Sequence, residues 1–207
     1  MVPPTSSTSV ASSPLGERLA REGDVPRASI GTAFDLACRW FMAGKRIDIS
    51  ALAGEVGVSR VTMHRWVGTR DELLSEVMCH LTDRTIDRLL ADIDAEGISP
   101  RAPELLGRYL RAMATNTGVL RLQREEPETF VRLCTTNASP FQARLIAKVT
   151  EILAADRAAG HLTIDLDDGE LAFAVVRLLE AYAHAPTLTG EPADPDRATR
   201  VMRALLR

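Results

Sequence analysis

The side chains with the most distinctive chemistry in this 207-residue sequence are the cations between residues 27 and 70. This segment carries a formal charge of +4, whereas residues 1–26 carry −1 and residues 71–207 carry −6, so the whole chain stands at −3. Cations that neutralise DNA phosphates gain affinity by releasing counterions. The local excess therefore predicts a nucleic-acid contact that the net charge conceals. Its members are Arg27, Arg39, Lys45, Arg46, Arg60, Arg65 and Arg70, against Asp35, Asp48 and Glu55.

The remaining reactive side chains form no recognisable catalytic or metal-binding motif. The sequence contains no Gly-x-Ser-x-Gly elbow, no glycine-rich phosphate loop that ends in Lys-Ser or Lys-Thr, and no His-Glu-x-x-His. The four histidines are scattered, and the adjacent acidic pairs are typical of solvated helix starts. We therefore expect neither an enzyme, nor a cofactor, nor a bound metal ion.

Cysteine usage and hydropathy predict the compartment. Cys38, Cys79 and Cys134 are odd in number, far apart and set among apolar neighbours, which favours buried thiols in a reducing compartment over redox sensors. No stretch reaches the roughly 18 consecutive apolar residues of a membrane span. The Pro-, Ser- and Thr-rich start lacks the features of a secretory signal, so we predict a disordered leader over residues 1–26 and a cytoplasmic protein with no membrane partner.

The elements that must position the cations form a helix-turn-helix. Apolar residues at helical spacing predict one helix from about Arg27 to Gly44, followed by two short helices around a tight turn. Asp48 and Ser59 are suited to cap the starts of the short helices, and Gly57 supplies the left-handed residue between them. The small core of this unit is predicted to be Leu52, Ala53, Val56, Val58, Met63 and Val67.

The rest of the chain is predicted to be helical too, which gives an all-α fold. Aromatic residues make up only 4% of the sequence, and the apolar residues are mainly Ala, Leu, Ile and Val without clustered β-branched runs. A capping box at Thr69–Glu72 predicts a long helix that links the two halves. Further helices are expected at about 103–116, 118–124, 126–137, 140–159, 167–184 and 194–206.

The stretch from Leu171 to Ala185 is apolar nearly all round, which predicts burial on more than one side. Paired with the helix that carries Phe141 and Leu153, it could form half of a four-helix bundle across a two-fold axis. The alternative is burial wholly within one subunit. A dimer would place two reading helices about one helical turn of DNA apart, as a palindromic site requires.

The stretch from Ile49 to Leu74, ISALAGEVGVSRVTMHRWVGTRDELL, resembles the amino-terminal domain of TetR-family transcriptional regulators, and the likeness extends over about residues 27–75. The resemblance implies an all-helical homodimer whose variable carboxy-terminal domain binds a small molecule and controls DNA affinity. It divides the chain into the leader 1–26, a helix-turn-helix DNA-binding domain 27–70, and a ligand-binding and dimerisation domain 71–207.

By this resemblance, seven residues face DNA. Arg60 is suited to a guanine and Val61 to a thymine methyl, while Thr62, His64 and Arg70 could hold phosphates. The family usually has Tyr at position 64 and often His at position 66, so the aromatic and imidazole groups are exchanged in this sequence. Packing is the alternative role for Trp66. Arg65 is left out of the set because it could be a solvated cation or one paired within the protein. The DNA-binding set is Ser50, Arg60, Val61, Thr62, His64, Trp66 and Arg70.

Polar residues that interrupt the late apolar helix are candidates for a ligand's polar head, because buried charges need partners. A local ion pair is the alternative for Arg177 and Glu180, which lie three residues apart on one helix. The middle helices add residues of modest polarity, for which plain core packing is the alternative. The ligand-binding candidates are Met113, Asn116, Leu120, Phe130, Cys134, Asn137, Arg177, Glu180, Tyr182 and His184.

A narrower resemblance rests on the segments RWVGTRD (65–71), REEPE (124–128), ASP (138–140) and LTGEP (188–192). These look like the QsdR-type branch, repressors tied to the degradation of quorum-sensing lactones. The implied effector is a γ-lactone, an acyl-homoserine lactone or a related acyl chain in an elongated apolar tunnel with one polar end. The predicted function is a homodimeric repressor of a quorum-quenching pathway, released from a palindromic operator by this effector. The alternative is an architectural protein that binds any DNA sequence, for which the net charge is unfavourable.

Overall fold

The computed structural model describes residues 13–21 and 28–206, and in those ranges the chain is helical, with no strand. No helix within them is long and apolar enough to cross a bilayer. The helices are α1 Pro14–Arg21, α2 Ile30–Met42, α3 Ile49–Val56, α4 Arg60–Val67, α5 Arg70–Ala95, α6 Arg101–Thr115, α7 Thr117–Glu125, α8 Pro127–Thr135, α9 Phe141–Ala158, α10 Asp168–Ala183, α11 Ala185–Leu188 and α12 Pro195–Leu205. The predicted all-α fold is confirmed.

Helices α2, α3 and α4 form a compact helix-turn-helix unit, and its local signals act as predicted. The Asp48 side chain accepts a hydrogen bond from the backbone N–H of Ala51 at 2.8 Å, and Ser59 accepts one from Thr62 at 3.1 Å. Gly57 adopts a left-handed conformation with φ +80°. Of the predicted core residues, Leu52, Ala53, Met63 and Val67 are buried, and Val56 and Val58 are partly buried against them.

The 26-residue helix α5 connects this unit to the rest of the molecule. Its predicted capping box is present: Glu72 accepts a hydrogen bond from the Thr69 backbone N–H at 2.7 Å, and Thr69 Oγ1 accepts one from the Glu72 backbone N–H at 3.2 Å. The hydrogen bonds from Thr69 lower the pKa of the Glu72 carboxyl. At 1.5 Å per residue, α5 is about 39 Å long and so belongs to both halves.

The carboxy-terminal body packs α6 against α5, α9 and α12, and pairs α9 with α10. The predicted helices are all present, with ends shifted by a few residues, and the short helix α11 is an addition. The residue before α6 is Pro100, which offers no capping side chain, and the buried Asp156 of α9 caps the helix instead. Its carboxylate accepts hydrogen bonds from the backbone N–H groups of Arg101 and Ala102 at 3.1 and 2.8 Å.

One part of the predicted leader is ordered, which corrects the expectation of disorder over residues 1–26. Helix α1 begins with Pro14 in the first helical position, and Ser13 Oγ accepts a hydrogen bond from Gly16 N–H at 3.0 Å. Leu15 is buried, and Ser13 Oγ donates a hydrogen bond to Glu76 of α5. The rest of the predicted leader lies outside the described residues.

The pair α9 and α10 has one apolar face that the described residues 13–21 and 28–206 leave uncovered. Phe173 is 53% exposed, and Ala174 and Ala181 are exposed on the same side of α10. Ala143 is exposed and Ile146 partly exposed on α9. The opposite side of α10 is buried, so burial of this helix on all sides within one subunit, the alternative considered from the sequence, is wrong.

Candidate DNA-binding surface and effector cavity

The predicted recognition residues occupy the outer side of α4. Val61 is 80% exposed, and Arg60 and His64 are exposed beside it, while Thr62 and Trp66 are partly buried. Met63 and Val67 bury the opposite side of the helix, which fixes the direction of the outer side chains. The arrangement presents one cation, one apolar side chain and one imidazole together, the chemistry that base edges and phosphates require.

Ser50 lies in the first turn of α3, where Asp48 caps the Ala51 N–H and the earlier N–H groups have no partner within the helix. Its side chain is exposed, as a phosphate contact would need. Trp66 packs partly on the core of the unit, which is the alternative role considered from the sequence. For each of these residues the contact with DNA stays a prediction.

The carboxy-terminal end of α4 is held by α1. Arg18 donates hydrogen bonds from one guanidinium nitrogen to the carbonyl oxygens of Arg65 and Trp66, at 2.8 and 3.1 Å. A cation at this position satisfies carbonyls that have no partner within the helix and complements the helix dipole. Sequence analysis missed this contact because α1 falls within the predicted leader, although the Ser-Pro pair at residues 13–14 is a helix-start signal.

Arg70 is turned toward the protein. Its Nε donates a hydrogen bond to the Ile47 carbonyl at 2.7 Å, and one terminal nitrogen contacts the Glu126 carboxylate at 2.8 Å. Arg121 and Arg46 approach the same carboxylate at 3.1 and 3.5 Å. These cations lower the pKa of Glu126 despite its burial. The predicted phosphate contact of Arg70 therefore competes with a bond between the helix-turn-helix unit and the α7–α8 junction.

A cavity of about 410 Å³ lies where α2 meets the body. Its wall is largely apolar, and its hydroxyl groups are already paired: Thr82 Oγ1 and Tyr109 OH lie 3.0 Å apart. Burial raises the pKa of Tyr109, which keeps the phenol neutral. The lining residues are Phe41, Met42, Met78, Leu81, Thr82, Arg84, Thr85, Arg88, Tyr109, Ala112, Met113, Asn116, Val119, Phe130 and Phe141.

A second cavity of about 190 Å³ adjoins the first, and Met113 lines both. Leu120 and Tyr182 belong to the wall of this smaller cavity, and Gln123 crosses its end with a hydrogen bond to the Ala183 carbonyl at 3.1 Å. Met113 is thus the residue that the two cavity walls share. Because methionine is unbranched and has three rotatable bonds, it can change conformation at low cost.

Half of the predicted ligand residues line these two cavities: Met113, Asn116, Phe130, Leu120 and Tyr182. Cys134 is buried in the core, and Asn137 lies instead in a groove beside α1, about 760 Å³ in volume. Ligand contact for each residue stays a prediction. The placement shows which of them share one space and which do not.

The two charged candidates on α10 form the local ion pair that was the alternative for them. Arg177 and Glu180 approach to 3.0 Å, and Gln142 donates a hydrogen bond to Glu180 at 2.9 Å. Burial raises the pKa of Glu180. His184 is buried with its ring 4.7 Å from that of Phe130, and burial lowers the pKa of this histidine to about 4, which keeps it neutral.

Sequence analysis missed the parts of the cavity wall that come from α2 and α5. The apolar spacing of the first helix and of the long helix predicts where they begin and end, but it does not indicate that either lines a cavity. A signal was present: Thr82, Thr85 and the cations Arg84 and Arg88 interrupt the apolar pattern of α5 within seven residues. A polar stretch inside a helix that is buried elsewhere marks a cavity or a solvent-exposed side.

Close backbone packing joins α2 to α7 beside the cavity. A Cβ atom added to Gly118 would lie 2.2 Å from the carbonyl oxygen of Phe41. Gly44, two residues beyond α2, has φ +70°, and a Cβ atom added to it would lie 2.7 Å from Cγ2 of Thr117. The cavity wall and the helix-turn-helix unit are therefore in direct contact, without space for a side chain between α2 and α7 at these positions.

Comparison with known proteins places these features in a family. Residues 99–207 match the tetracyclin repressor-like C-terminal domain. The chain is similar to the solved structure of the TetR-family transcriptional repressor QsdR of R. erythropolis, with 31% identity over 86% of this chain and 93% of that one, and a TM-score of 0.74. Among curated proteins, none matches.

More distant structures share the fold. The repressor AlkX of Dietzia sp. strain DQ12-45-1b, implicated in the biodegradation of n-alkanes, has 21% identity over 88% of this chain and 96% of that one, with a TM-score of 0.59. The multidrug binding protein EbrR, solved with imidazole, has 20% identity over 89% and 97%, with a TM-score of 0.56. At these identities the likeness extends to the fold alone.

Proposed function

The chain belongs to the TetR family of DNA-binding transcriptional regulators, which are not enzymes, and we propose that it is a homodimeric repressor released from a palindromic operator by a small apolar effector. One observation carries the proposal: Phe41 and Met42, at the end of α2 in the helix-turn-helix unit, form part of the wall of the large apolar cavity. A ligand in that cavity touches the DNA-binding unit directly.

The outer side of α4 is the proposed reading surface. Arg60 would bond a guanine and Val61 would meet a thymine methyl, while Thr62, His64 and Ser50 would hold phosphates. Trp66, at the edge of this reading surface, would contact the DNA backbone. The proposed division is a DNA-binding domain over residues 27–70 and a ligand-binding and dimerisation domain over 71–207, with α1 added to the first.

The uncovered face of α9 and α10 is the proposed dimer interface. A monomeric protein rarely leaves a helix face with an exposed Phe and several exposed Ala uncovered, and a two-fold axis would pack this face on its own copy. The same axis would set two α4 helices against successive major grooves.

The proposed effector is a lactone or a related acyl chain of a quorum-signal degradation pathway. Its support is the QsdR-type resemblance and a cavity that is mainly apolar, elongated by the adjoining space behind Met113. Binding can release DNA only if the effector has higher affinity for the state in which the two α4 helices no longer fit their grooves. An effector in the cavity would contact α2 and α7, so its affinity would depend on the position of the helix-turn-helix unit.

The experiment is a two-step binding measurement. Selection from a random duplex library gives the preferred DNA, and affinities for this duplex and a shuffled one are then compared at a fixed salt concentration. We expect a palindromic site bound far more tightly than the shuffled duplex, and weaker binding when γ-lactones or fatty acids are added. Equal affinity for both duplexes would identify an architectural protein instead, and no response to any chain compound would contradict effector control.

A further inference from the structure

Two cations stand at the outer end of the large cavity. Arg84 and Arg88 both line it, both are exposed, and neither forms an ion pair with any residue that the structure describes. They lie four residues apart on α5, so their guanidinium groups share one side of the helix. Like charges in that arrangement repel each other, and an anion placed between them would remove the repulsion.

Two other arginines of the carboxy-terminal body, in contrast, form ion pairs with carboxylates. Arg108 contacts Glu96 and Glu104, at 2.6 and 2.8 Å. Arg144, also placed against α5, contacts Asp83 and Glu76. The fold thus supplies carboxylates to these arginines, yet it supplies none, among the described residues, to the two that border the cavity.

The inner part of the cavity offers little to a polar head. Met78, Phe130 and Phe141 are buried there, and the Thr82 and Tyr109 hydroxyl groups bond each other. Thr85, between the two arginines, donates its hydroxyl to the Leu81 carbonyl at 2.7 Å. An amphiphile would therefore direct its chain inward and its head toward Arg84 and Arg88.

We propose that the effector site selects an anionic amphiphile, a chain whose terminal carboxylate binds between Arg84 and Arg88, over the neutral lactone of the same length. The inference rests on the proposed function and sharpens it. Carboxylates accept charge-assisted hydrogen bonds from guanidinium groups, whereas a lactone offers a neutral carbonyl. Water adds to the lactone carbonyl, the ring C–O bond breaks, and the products are a hydroxyl, a carboxylate and a proton; the favoured ligand would be of this ring-opened class.

The test compares four probes whose chains match and whose heads differ: dodecanoate, dodecanol, methyl dodecanoate and γ-dodecalactone. Affinities of the full-length protein are measured by calorimetry at low and high salt. We expect dodecanoate to bind at least about tenfold more tightly than the neutral probes, and to lose this advantage as salt rises. Equal or tighter binding of the lactone would overturn the proposal.

The variant Arg84→Gln/Arg88→Gln removes both charges and leaves shorter, uncharged polar side chains at the two positions. It is expected to bind dodecanoate about as weakly as dodecanol while its affinity for dodecanol stays unchanged, which also demonstrates a folded protein. The matched control is Arg200→Gln, an exposed cation on α12 far along the chain, which should behave as wild type. Undiminished dodecanoate binding by the double variant would place the carboxylate elsewhere.

The DNA measurement separates this proposal from the function on which it rests. If the lactone releases the selected duplex and dodecanoate does not, effector control stands and the anionic head is wrong. If dodecanoate binds through the two arginines yet leaves DNA affinity unchanged, the anion site stands and effector control fails.

Discussion

The outer side of α4 and the cavity between α2 and the carboxy-terminal body differ in how their functional groups are held. On α4, functional groups are exposed, and the helix is fixed from behind by Met63 and Val67 and at its ends by Ser59 and Arg18. In the cavity, the inner groups are hidden and hydrogen-bonded to one another, and the wall is assembled from six helices. A helix that reads DNA must be rigid to fit the major groove, whereas a cavity that binds an effector needs open space. Tight packing therefore holds the reading helix, and looser packing surrounds the cavity.

The largest change should be in protein stability, and it should come from the close packing of α2 on α7, which joins the helix-turn-helix unit to the cavity wall. We expect Gly118→Ala to destabilise the protein by about 3 kcal/mol, because its new Cβ would overlap the Phe41 carbonyl, a backbone atom that cannot turn aside. Urea unfolding measures the change. Gly54→Ala is the matched control: a Cβ there meets nothing within 4 Å, and alanine in this helix should stabilise by about 0.5–1 kcal/mol. Equal effects would mean that α2 and α7 are not tightly joined.

The reading surface should respond to the loss of one base contact. We expect Arg60→Ala to weaken binding to the selected duplex by about 1–3 kcal/mol and to relax the preference at one base pair, if its guanidinium reads a guanine. Competition binding with single-base variants of the site measures both. Arg65→Ala should weaken all duplexes slightly and equally. A uniform loss for Arg60→Ala would demote this residue to a phosphate contact.

The chain length that the cavity prefers should depend on Met113, the residue that lines both spaces. In Met113→Ala the two cavities would merge, and the protein should come to favour longer chains by about 0.8 kcal/mol for each additional buried methylene. Calorimetry with fatty acids of increasing length measures this preference. Leu166→Ala, at an exposed apolar residue that lines neither cavity, should leave it unchanged. An unaltered length preference in Met113→Ala would show that the second space is not accessible to ligand.

The smallest expected effect is on DNA binding by a variant of Arg70, which the sequence predicts as a phosphate contact and which bonds Glu126 in the structure. Since Arg70 is held by the Ile47 carbonyl and Glu126, we expect Arg70→Ala to change effector-induced release more than the salt dependence of DNA binding. The slope of log affinity against log salt is the measurement. A decrease of about 1 in that slope would restore the phosphate role predicted from the sequence.

The local signals of the sequence predict the reading unit well, for a physical reason. Asp48, Ser59 and Thr69 each cap a helix by bonding a backbone N–H three residues ahead, so both partners are close in sequence. Gly57 likewise depends on its own backbone alone. The core periodicity of α3 and α4 follows the same logic, and no long-range information is required.

The cavity could not be predicted in the same way because its residues meet through packing between distant helices. Periodicity places Thr82 on α5 and Tyr109 on α6, but it does not give the register in which their hydroxyl groups come within 3.0 Å. Asn137 and Tyr182 were equally plausible as ligand contacts, and the packing of α8 and α10 separates them. The helix α1 was overlooked because it is only eight residues long, which gives too little periodicity.

The bond from Arg18 to the carboxy-terminal carbonyls of α4 has a practical consequence for how the gene is shortened or tagged. A fragment that starts at residue 27, where the sequence places the DNA-binding domain, would retain every proposed base contact but leave two carbonyls of α4 without their cation. Such a fragment would misreport operator affinity. Any minimal version of the protein should therefore begin no later than Ser13, with purification tags placed at the other terminus.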